Sequence, residues 1–208
     1  MARYTGPKFK LCRREGINLF GNEKYNIKKR KTLPGQHGAT AARLSEYGKL
    51  LRNKQVLKRI FQMNEKQFAK LVTVISKSYA KNKGLNHDKV LVQFLMRRLD
   101  NVILQSGYAT TIMQARQMVV HGHFLLNGKK HNVPSYYVNA GDVLTLKASL
   151  QSSDLYATDQ NNHQTPIWLN VSKSNFAVTV IDLPHTNEAD TLDLPADVLK
   201  VIEFYARA

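Results

Sequence analysis

The chain has 208 residues, enough for one domain or two small ones, and carries 31 Lys and Arg against 15 Asp and Glu, for a formal net charge of +16. Positive charge in this excess opposes compaction unless a polyanion neutralises it, so nucleic acid is the expected partner. No stretch approaches the ~20 consecutive apolar residues that cross a bilayer, and a single cysteine, Cys12, permits no internal disulfide, which excludes the membrane and disulfide-rich secreted classes.

The positive charge is unevenly distributed along the chain. Residues 1–60 contain 16 Lys and Arg against 3 acidic residues, residues 61–150 contain 12 against 4, and residues 151–208 contain 3 against 8. We therefore expect the polyanion to contact the first three quarters of the chain. The acidic last quarter is expected to face solvent or a basic protein.

Residues 1–43 are predicted to form an irregular, extended basic arm. Glycines and prolines interrupt this segment and it has no sustained apolar period, so it is not expected to form a core of its own. Arms of this kind order on RNA; the alternative is a flexible solubilising tail. The candidate RNA-binding residues of the arm are Lys8, Arg13, Arg14, Lys28, Lys29, Arg30, Lys31, His37 and Arg43.

Three helices are predicted between residues 44 and 96. Ser45 suits the N-cap of a helix over about 46–61, and Asn64 opens a second whose apolar stripe at residues 68, 71, 72, 75 and 79 ends before Gly84. Asn86 opens the third, with residues 90, 91, 94 and 95 inward. The cations of the first helix are RNA-binding candidates, and a solvated charged face is the alternative. They are Lys49, Arg52, Lys54, Lys58 and Arg59.

Residues 98–147 are predicted to form a compact unit of two short helices and a small sheet. The first helix covers about 98–104 and stops at Gly107, and a capping box of Thr111 and Gln114 opens the second, which Gly122 ends. A hairpin follows, whose Asn-Gly pair at 127–128 favours a type I′ turn. Residues 143–146 have the character of a strand.

The polar residues of this unit suit the phosphates and 2′-hydroxyls of structured RNA. The candidates are Arg98, Arg116, Gln117, His121, His123, Lys129 and Lys130. The alternative for single members is structural: Arg98 would pair with Asp100 or Asp142, and the histidines would cap helix ends.

The last part of the chain is predicted to be a polar linker over 148–165, strands within 168–183, and a final helix. The residues 193–195, Asp-Leu-Pro, would open that helix, with Val198, Leu199, Ile202 and Tyr205 apolar. Because so short a helix is unstable alone, it is expected to pack on the helical domain, which would make the middle unit an insertion.

Several motifs resemble one family. Arg98-Leu99-Asp100-Asn101-Val102, Ala115-Arg116-Gln117, Asn127-Gly128 and Pro134-Ser135-Tyr136 are similar to the S4 RNA-binding domain. Met1-Ala2-Arg3-Tyr4, Arg13-Arg14-Glu15-Gly16, Pro34-Gly35-Gln36-His37-Gly38 and Leu51-Arg52 resemble the bacterial-type small-subunit ribosomal protein S4 family from end to end.

The resemblance implies an α+β fold with an arm over 1–43, a helical domain over 44–96 completed by 184–208, and an S4 domain over 97–183. It implies binding to 16S ribosomal RNA at a multi-helix junction, nucleation of the subunit body, and contact with ribosomal protein S5 that affects decoding accuracy. It also implies other small-subunit protein partners, a place near the mRNA entry path and, in some members, repression of the protein's own messenger. Glu203, Phe204 and Tyr205 are candidates for a protein interface. The expected location is the cytoplasmic ribosome, with an organelle ribosome as the alternative.

The chain departs from the family in two places. Many members bind zinc through four cysteines in the arm, whereas Phe9 and Cys12 occupy the first two positions here and no other cysteine follows. We predict no metal and no cofactor. After Leu146, where relatives are usually basic, this chain is polar and then acidic, so RNA contacts are not expected there.

Two other functions compete with the ribosomal one. An RNA-modifying enzyme with an S4 module needs a larger catalytic domain, and no carboxylate here has a catalytic setting, so we predict no catalytic residues. A free-standing RNA-binding regulatory factor would lack the basic arm and the helical domain.

Overall fold

The computed structural model describes residues 4–40, 43–81, 86–157, 165–184 and 194–207. The chain forms two compact units: unit 1 combines Met1–Val92 with Leu192–Ala208, and unit 2 is Gln93–Thr191. Helices make up unit 1, and unit 2 contains an antiparallel sheet. The predicted α+β class is confirmed.

The basic arm is less irregular than its sequence predicts, because α1 (Lys8–Glu15) lies within it. Gly16 ends this helix in the left-handed conformation, with φ 73°, and donates its N–H to the Cys12 carbonyl. Cys12, Leu19 and Phe20 are buried. Their spacing is not periodic because they belong to a helix and to the loop after it, and the prediction that the arm is irregular is wrong over Lys8–Glu15.

Three further helices complete unit 1: α2 (Glu46–Ile60), α3 (Glu65–Lys81) and α8 (Val198–Arg207). Ser45 caps α2 as predicted, since its hydroxyl accepts the N–H of Gly48 at 3.2 Å. The predicted stripe of α3 is buried at residues 68, 71, 72 and 75. The side chain of Tyr79 and all of Gly84 lie outside the described residues. The third predicted helix is α4 (His87–Met96), which contains the boundary between the two units.

The start and the buried face of α8 differ from the prediction. Asp197 opens the helix, because its carboxylate accepts the N–H of Leu199 at 3.1 Å, and Pro195 lies before this cap. Val201 and Phe204 are buried, whereas Leu199 is 64% exposed. Both sets of positions have helical spacing, and the packing of α8 against α2 decides which one is buried.

Glu65, the first residue of α3, joins α2 to α8. Its carboxylate accepts hydrogen bonds from Nζ of Lys54 and Nζ of Lys58, each at 2.8 Å, and from the Tyr205 hydroxyl at 2.9 Å. Burial raises the pKa of Glu65, but the three donors outweigh it and lower that pKa to about 2. One carboxylate therefore fixes the position of two helices relative to α3.

Unit 2 is a five-stranded antiparallel sheet with the order β2-β1-β3-β5-β4. Its strands are β1 (Phe124–Leu126), β2 (Lys129–Lys130), β3 (Val143–Leu146), β4 (Leu169–Ser172) and β5 (Ala177–Val180). The helices α5 (Leu99–Gln105) and α6 (Ile112–Val120) pack against each other. The Thr111 half of the predicted capping box is confirmed, because the Thr111 hydroxyl accepts the N–H of Gln114. The Gln114 side chain, however, accepts the N–H of Thr110 instead of that of Thr111.

The β1–β2 hairpin has the predicted type I′ turn, with positive φ at Asn127 (50°) and Gly128 (76°). The Asn127 side chain also connects the turn to the start of β3. Its Nδ2 donates to Asp142 and its Oδ1 accepts the N–H of Val143, both at 2.8 Å.

The predicted linker over 148–165 contains local helical structure. A 3-10 turn spans Ala148–Leu150 and α7 spans Asp154–Ala157; residues 158–164 lie outside the described part. The strands predicted within 168–183 are confirmed as β4 and β5.

We expect Glu65→Gln to remove an acid-dependent part of the stability of unit 1. The folded-state pKa of about 2 lies below the ordinary value of 4.5, so ionised Glu65 stabilises the fold above pH 4.5, and this contribution is lost as the pH falls towards 2. Because the side chain is 46% exposed, solvent screening limits the effect to about 1 kcal/mol.

Urea unfolding at pH 7 and pH 3 measures this difference. The parent protein should lose more stability between the two pH values than Glu65→Gln does. Glu46→Gln is the matched control, since Glu46 forms an exposed pair with Lys49. The same pH dependence in the parent and in Glu65→Gln would contradict the prediction.

Candidate nucleic-acid interface

The candidate cations of the arm have two different environments. Arg13 is half-buried and donates to the carbonyls of Thr32 at 2.9 Å and Leu33 at 3.0 Å, so it ties α1 to the turn that follows. Other candidates are exposed and form no ion pair with another described residue. They are Arg14, Lys28, Arg30, Lys31, His37 and Arg43. Lys8 is half-buried, and the side chain of Lys29 lies outside the description.

The turn at 33–38 has a structural requirement of its own. Leu33 donates its N–H to the Gly38 carbonyl at 3.1 Å. A Cβ at residue 38 would lie 1.9 Å from the Leu33 carbonyl oxygen, so only glycine fits there. The turn holds His37 exposed among the cations of the arm.

The candidate cations of α2 form ion pairs within unit 1, so the α2 surface is not a simple solvated charged face. Arg52 donates to Glu15 at 2.9 Å, and Arg59 donates to the same oxygen. The Glu15 side chain is 1% exposed. Lys54 is buried, with Nζ 4.2 Å from the centre of the Phe204 ring. Lys49 and Lys58 pair with Glu46 and Glu65.

Asp100 is the charged centre of unit 2. Arg98 binds both of its oxygens, at 3.1 and 2.8 Å, and Arg116 binds one at 3.3 Å. Burial raises the pKa of Asp100, while the charges of Arg98 and Arg116 act in the opposite direction. The structural alternative for Arg98 is confirmed: its side chain is 3% exposed and pairs with Asp100.

The backbone of Leu99 and Asp100 joins the start of α5 to the loop before β3. Leu99 donates its N–H to the Tyr136 carbonyl at 2.8 Å, and Asp100 donates its N–H to the Pro134 carbonyl at 3.2 Å. Two sequence motifs whose bonded residues are 34 and 37 positions apart along the chain therefore meet through their backbones. These backbone bonds hold together the elements that carry the exposed residues of unit 2.

The end of α6 and the hairpin form one exposed polar surface. Gln117 and His121 are exposed on α6, and Lys129 and Lys130 are exposed on the edge strand β2. A Cβ at Gly122 would lie 2.9 Å from Cε of Lys130, so the Lys130 side chain extends along the end of α6. This contact brings cations of the strand beside the polar residues of the helix.

His123 lies at the border of this surface and is half-buried. Burial lowers its pKa, and the neighbouring His121 and Lys147 lower it further, so the environment favours the neutral imidazole. Its Nδ1 lies 2.7 Å from the Tyr156 hydroxyl, and the two groups share a hydrogen bond whose donor depends on the tautomer of the ring. His123 therefore holds α7 on the sheet, a role that the sequence did not reveal.

Two cations that were not among the candidates lie near the predicted ones. Lys147 is exposed directly after β3, and its charge lowers the pKa of His123. Arg97 donates to the Val138 carbonyl at 2.9 Å and to the Asn139 side chain at 2.7 Å. Lys147 was missed because it follows a strand and precedes an acidic region, so its position in the sequence does not indicate that it lies near α6. Arg97 was missed because no feature of the sequence distinguishes it from the adjacent Arg98.

The candidate protein-interface residues contact their own unit. Phe204 is buried beside Lys54, and the Tyr205 hydroxyl donates to Glu65. Glu203 pairs with Arg207 at 2.5 Å and keeps a side chain that is 43% exposed.

No helix in the described part of the chain is long and apolar enough to cross a membrane. Within the same ranges, no three His, Cys, Asp or Glu side chains are grouped so that they could hold a metal ion. The absence of bound zinc stays a prediction. The buried thiol of Cys12 has a raised pKa because of its burial.

Comparison with known families identifies both units. A family model described as the ribosomal protein S4/S9 N-terminal domain matches residues 3–96, and one described as the S4 domain matches residues 97–144. The second match covers α5, α6, the hairpin and the first half of β3.

Curated relatives match along their whole length. The small ribosomal subunit protein uS4 of Petrotoga mobilis is 40% identical over 218 residues, and that of Thermotoga petrophila is 42% identical over 216. The protein of the same name from Thermoanaerobacter pseudethanolicus is 38% identical over 214 residues. In each case the alignment covers 100% of both chains.

We expect Asp100→Asn to destabilise the protein by about 3–5 kcal/mol, because it leaves the buried guanidinium of Arg98 without its counter-charge. Urea unfolding of the full chain measures the loss. Glu46→Gln is the control, since it removes one member of an exposed pair and should change stability by less than about 1 kcal/mol. A loss of similar size in both variants would contradict a special role for Asp100.

Proposed function

The chain belongs to the uS4 family of small-subunit ribosomal proteins, and we propose that it binds 16S ribosomal RNA through two separate basic surfaces. The family assignment makes it a structural component of the small ribosomal subunit that binds ribosomal RNA and is not an enzyme. The match along the full length disfavours a free-standing regulatory factor. Both units expose cations that have no ion-pair partner among the described residues, and this exposure is the main support for the proposal.

The arm surface is the first of the two. It consists of Arg14, Lys28, Arg30, Lys31, His37 and Arg43, which are all exposed. Phosphate contacts from such side chains position a protein on RNA and supply affinity that depends on salt. The hydrogen bonds that Arg13 donates to the carbonyls of Thr32 and Leu33 stabilise the backbone that carries this surface, and so does the turn at 33–38.

The hairpin surface is the second, and consists of Gln117, His121, Lys129 and Lys130. A helix end beside a basic edge strand offers amide, imidazole and ammonium groups, which suit the phosphates and 2′-hydroxyls of folded RNA. Arg98 and Arg116 are proposed to act indirectly, because both bind the buried Asp100. Arg52, Lys54 and Arg59 likewise stabilise unit 1 from within.

We further propose that the protein binds at a multi-helix junction of 16S RNA and helps nucleate the subunit body. Two basic surfaces in separate compact units support this role, since one chain can then contact more than one RNA helix. Contact with ribosomal protein S5, an effect on accuracy, and a place near the mRNA entry path belong to the same proposal, in a cytoplasmic ribosome.

A protein-facing side is supported by the last quarter of the chain. Residues 151–208 are acidic, and their exposed large apolar residues include Ile167 at 85% and Ile181 at 59%. These two are close together, because Ile181 donates its N–H to the carbonyl of Trp168. Exposed apolar groups of this kind are typical of protein–protein contacts.

Sucrose-gradient fractionation of cells tests the ribosomal role. The protein should sediment with small subunits and stay with them after a high-salt wash. Its presence only in the light fractions would contradict the proposal.

We expect Lys129→Ala and Lys130→Ala each to weaken binding to transcribed 16S RNA and to reduce the dependence of log K on log salt by about 0.7–0.9. Lys173→Ala is the matched control, because Lys173 follows β4 at the opposite edge of the same sheet. Filter binding at several salt concentrations measures the slopes. Unchanged slopes in both hairpin variants would remove the hairpin surface from the interface.

A further inference from the structure

A cavity of about 360 Å³ lies within unit 1, between residues of the 4–20 segment, the end of α2 and the start of α3. Leu11, Phe20 and Met63 give it an apolar floor, and Tyr4 lies at its border with 49% of its surface exposed. This volume is within the range of pockets that hold small organic groups. The ion pairs described above do not explain why a cavity is present between these elements.

Positive charge predominates around the cavity. Lys8, Lys58 and Arg59 line it, against the single carboxylate of Glu65. Lys58 and Arg59 are held by Glu65 and Glu15, so their positions are fixed before any ligand arrives. Lys8 forms no ion pair with another described residue. An apolar floor with cations at the border favours a ligand that is flat and apolar at one end and anionic at the other.

Gln62 gives the cavity a specific polar group. It follows the C-cap of α2 with φ 52°, and the bonds from Met63 N to Lys58 O and from Gln62 N to Arg59 O are those of a Schellman motif. Glycine is the usual residue at this position, because other side chains are strained there. A strained residue whose side chain lines a cavity is a candidate for function.

We propose that this cavity binds one unpaired nucleotide of the RNA. The base lies on the apolar floor against Tyr4, the amides of Gln62 and Gln55 hydrogen-bond its polar edge, and Lys8 meets the phosphate. Protein–RNA recognition commonly uses this combination of stacking, amide contacts and charge on bases outside helices. The inference rests on the proposed binding of 16S RNA and adds a third contact to the two basic surfaces.

The decisive variant is Gln62→Gly, because it removes the amide and relieves the backbone strain at once. Its melting temperature should stay unchanged or rise by up to about 4 °C. Its affinity for transcribed 16S RNA should fall about threefold to tenfold, the effect of losing one or two hydrogen bonds. Loss of stability cannot explain weaker binding by a variant that is equally or more stable.

Gln67→Ala is the matched control, since Gln67 is an exposed amide on α3 outside the cavity. Base-specific chemical probing of the bound RNA gives a second readout. One base that the parent protein protects should become reactive in the complex with Gln62→Gly and should stay protected with Gln67→Ala.

Three results would overturn the inference. If the parent protein binds 16S RNA and Gln62→Gly binds it equally well with the same protections, the cavity holds no nucleotide of the RNA, while the proposed function stands. If nucleoside 5′-monophosphates bind the parent protein and Gln62→Gly does not weaken RNA binding, the ligand is a free nucleotide. If the parent protein does not bind 16S RNA, the proposed function fails as well.

Discussion

The structure depends on the sharing of single carboxylates between two cations. Glu15 binds Arg52 and Arg59, Glu65 binds Lys54 and Lys58, and Asp100 binds Arg98 and Arg116. Residues 1–150 contain only seven acidic residues, so each one used in this way must offset more than one positive charge. The arrangement lets a strongly basic chain pack its helices while each shared carboxylate still leaves a net positive charge. That remaining charge is what an RNA partner would neutralise.

The shared carboxylates also separate two groups of basic residues that look alike in the sequence. Arg13 and Arg14 are adjacent, yet one holds a turn and the other is exposed. Lys54 and Lys49 lie on the same helix, but one is buried and the other is not. The exposure of a cation is therefore a property of tertiary contacts, whose partners can be 44 or even 140 residues apart in the chain.

Local signals predicted much of the fold. Ser45, Thr111 and the Asn127-Gly128 pair act through bonds or dihedral angles within a few residues, so their effect could be inferred from the sequence. The stripe of α3 was equally clear. Helix α1 was missed because its apolar residues are few and its buried partners come later in the chain. The buried face of α8 was misassigned because two faces have helical spacing and only the contact with α2 selects one.

Because α8 completes unit 1, the order in which the chain is synthesised matters. Unit 2 is continuous from residue 93 to residue 191, whereas unit 1 needs the residues after 192. A growing chain exposes the partner surface of α2 long before Val201 and Phe204 exist to cover it. The inserted unit can fold during translation, but the helical unit is finished only after α8 has been synthesised. Until then Lys54 lacks the Phe204 ring beside it, and Glu65 lacks the hydrogen bond that Tyr205 donates in the folded protein.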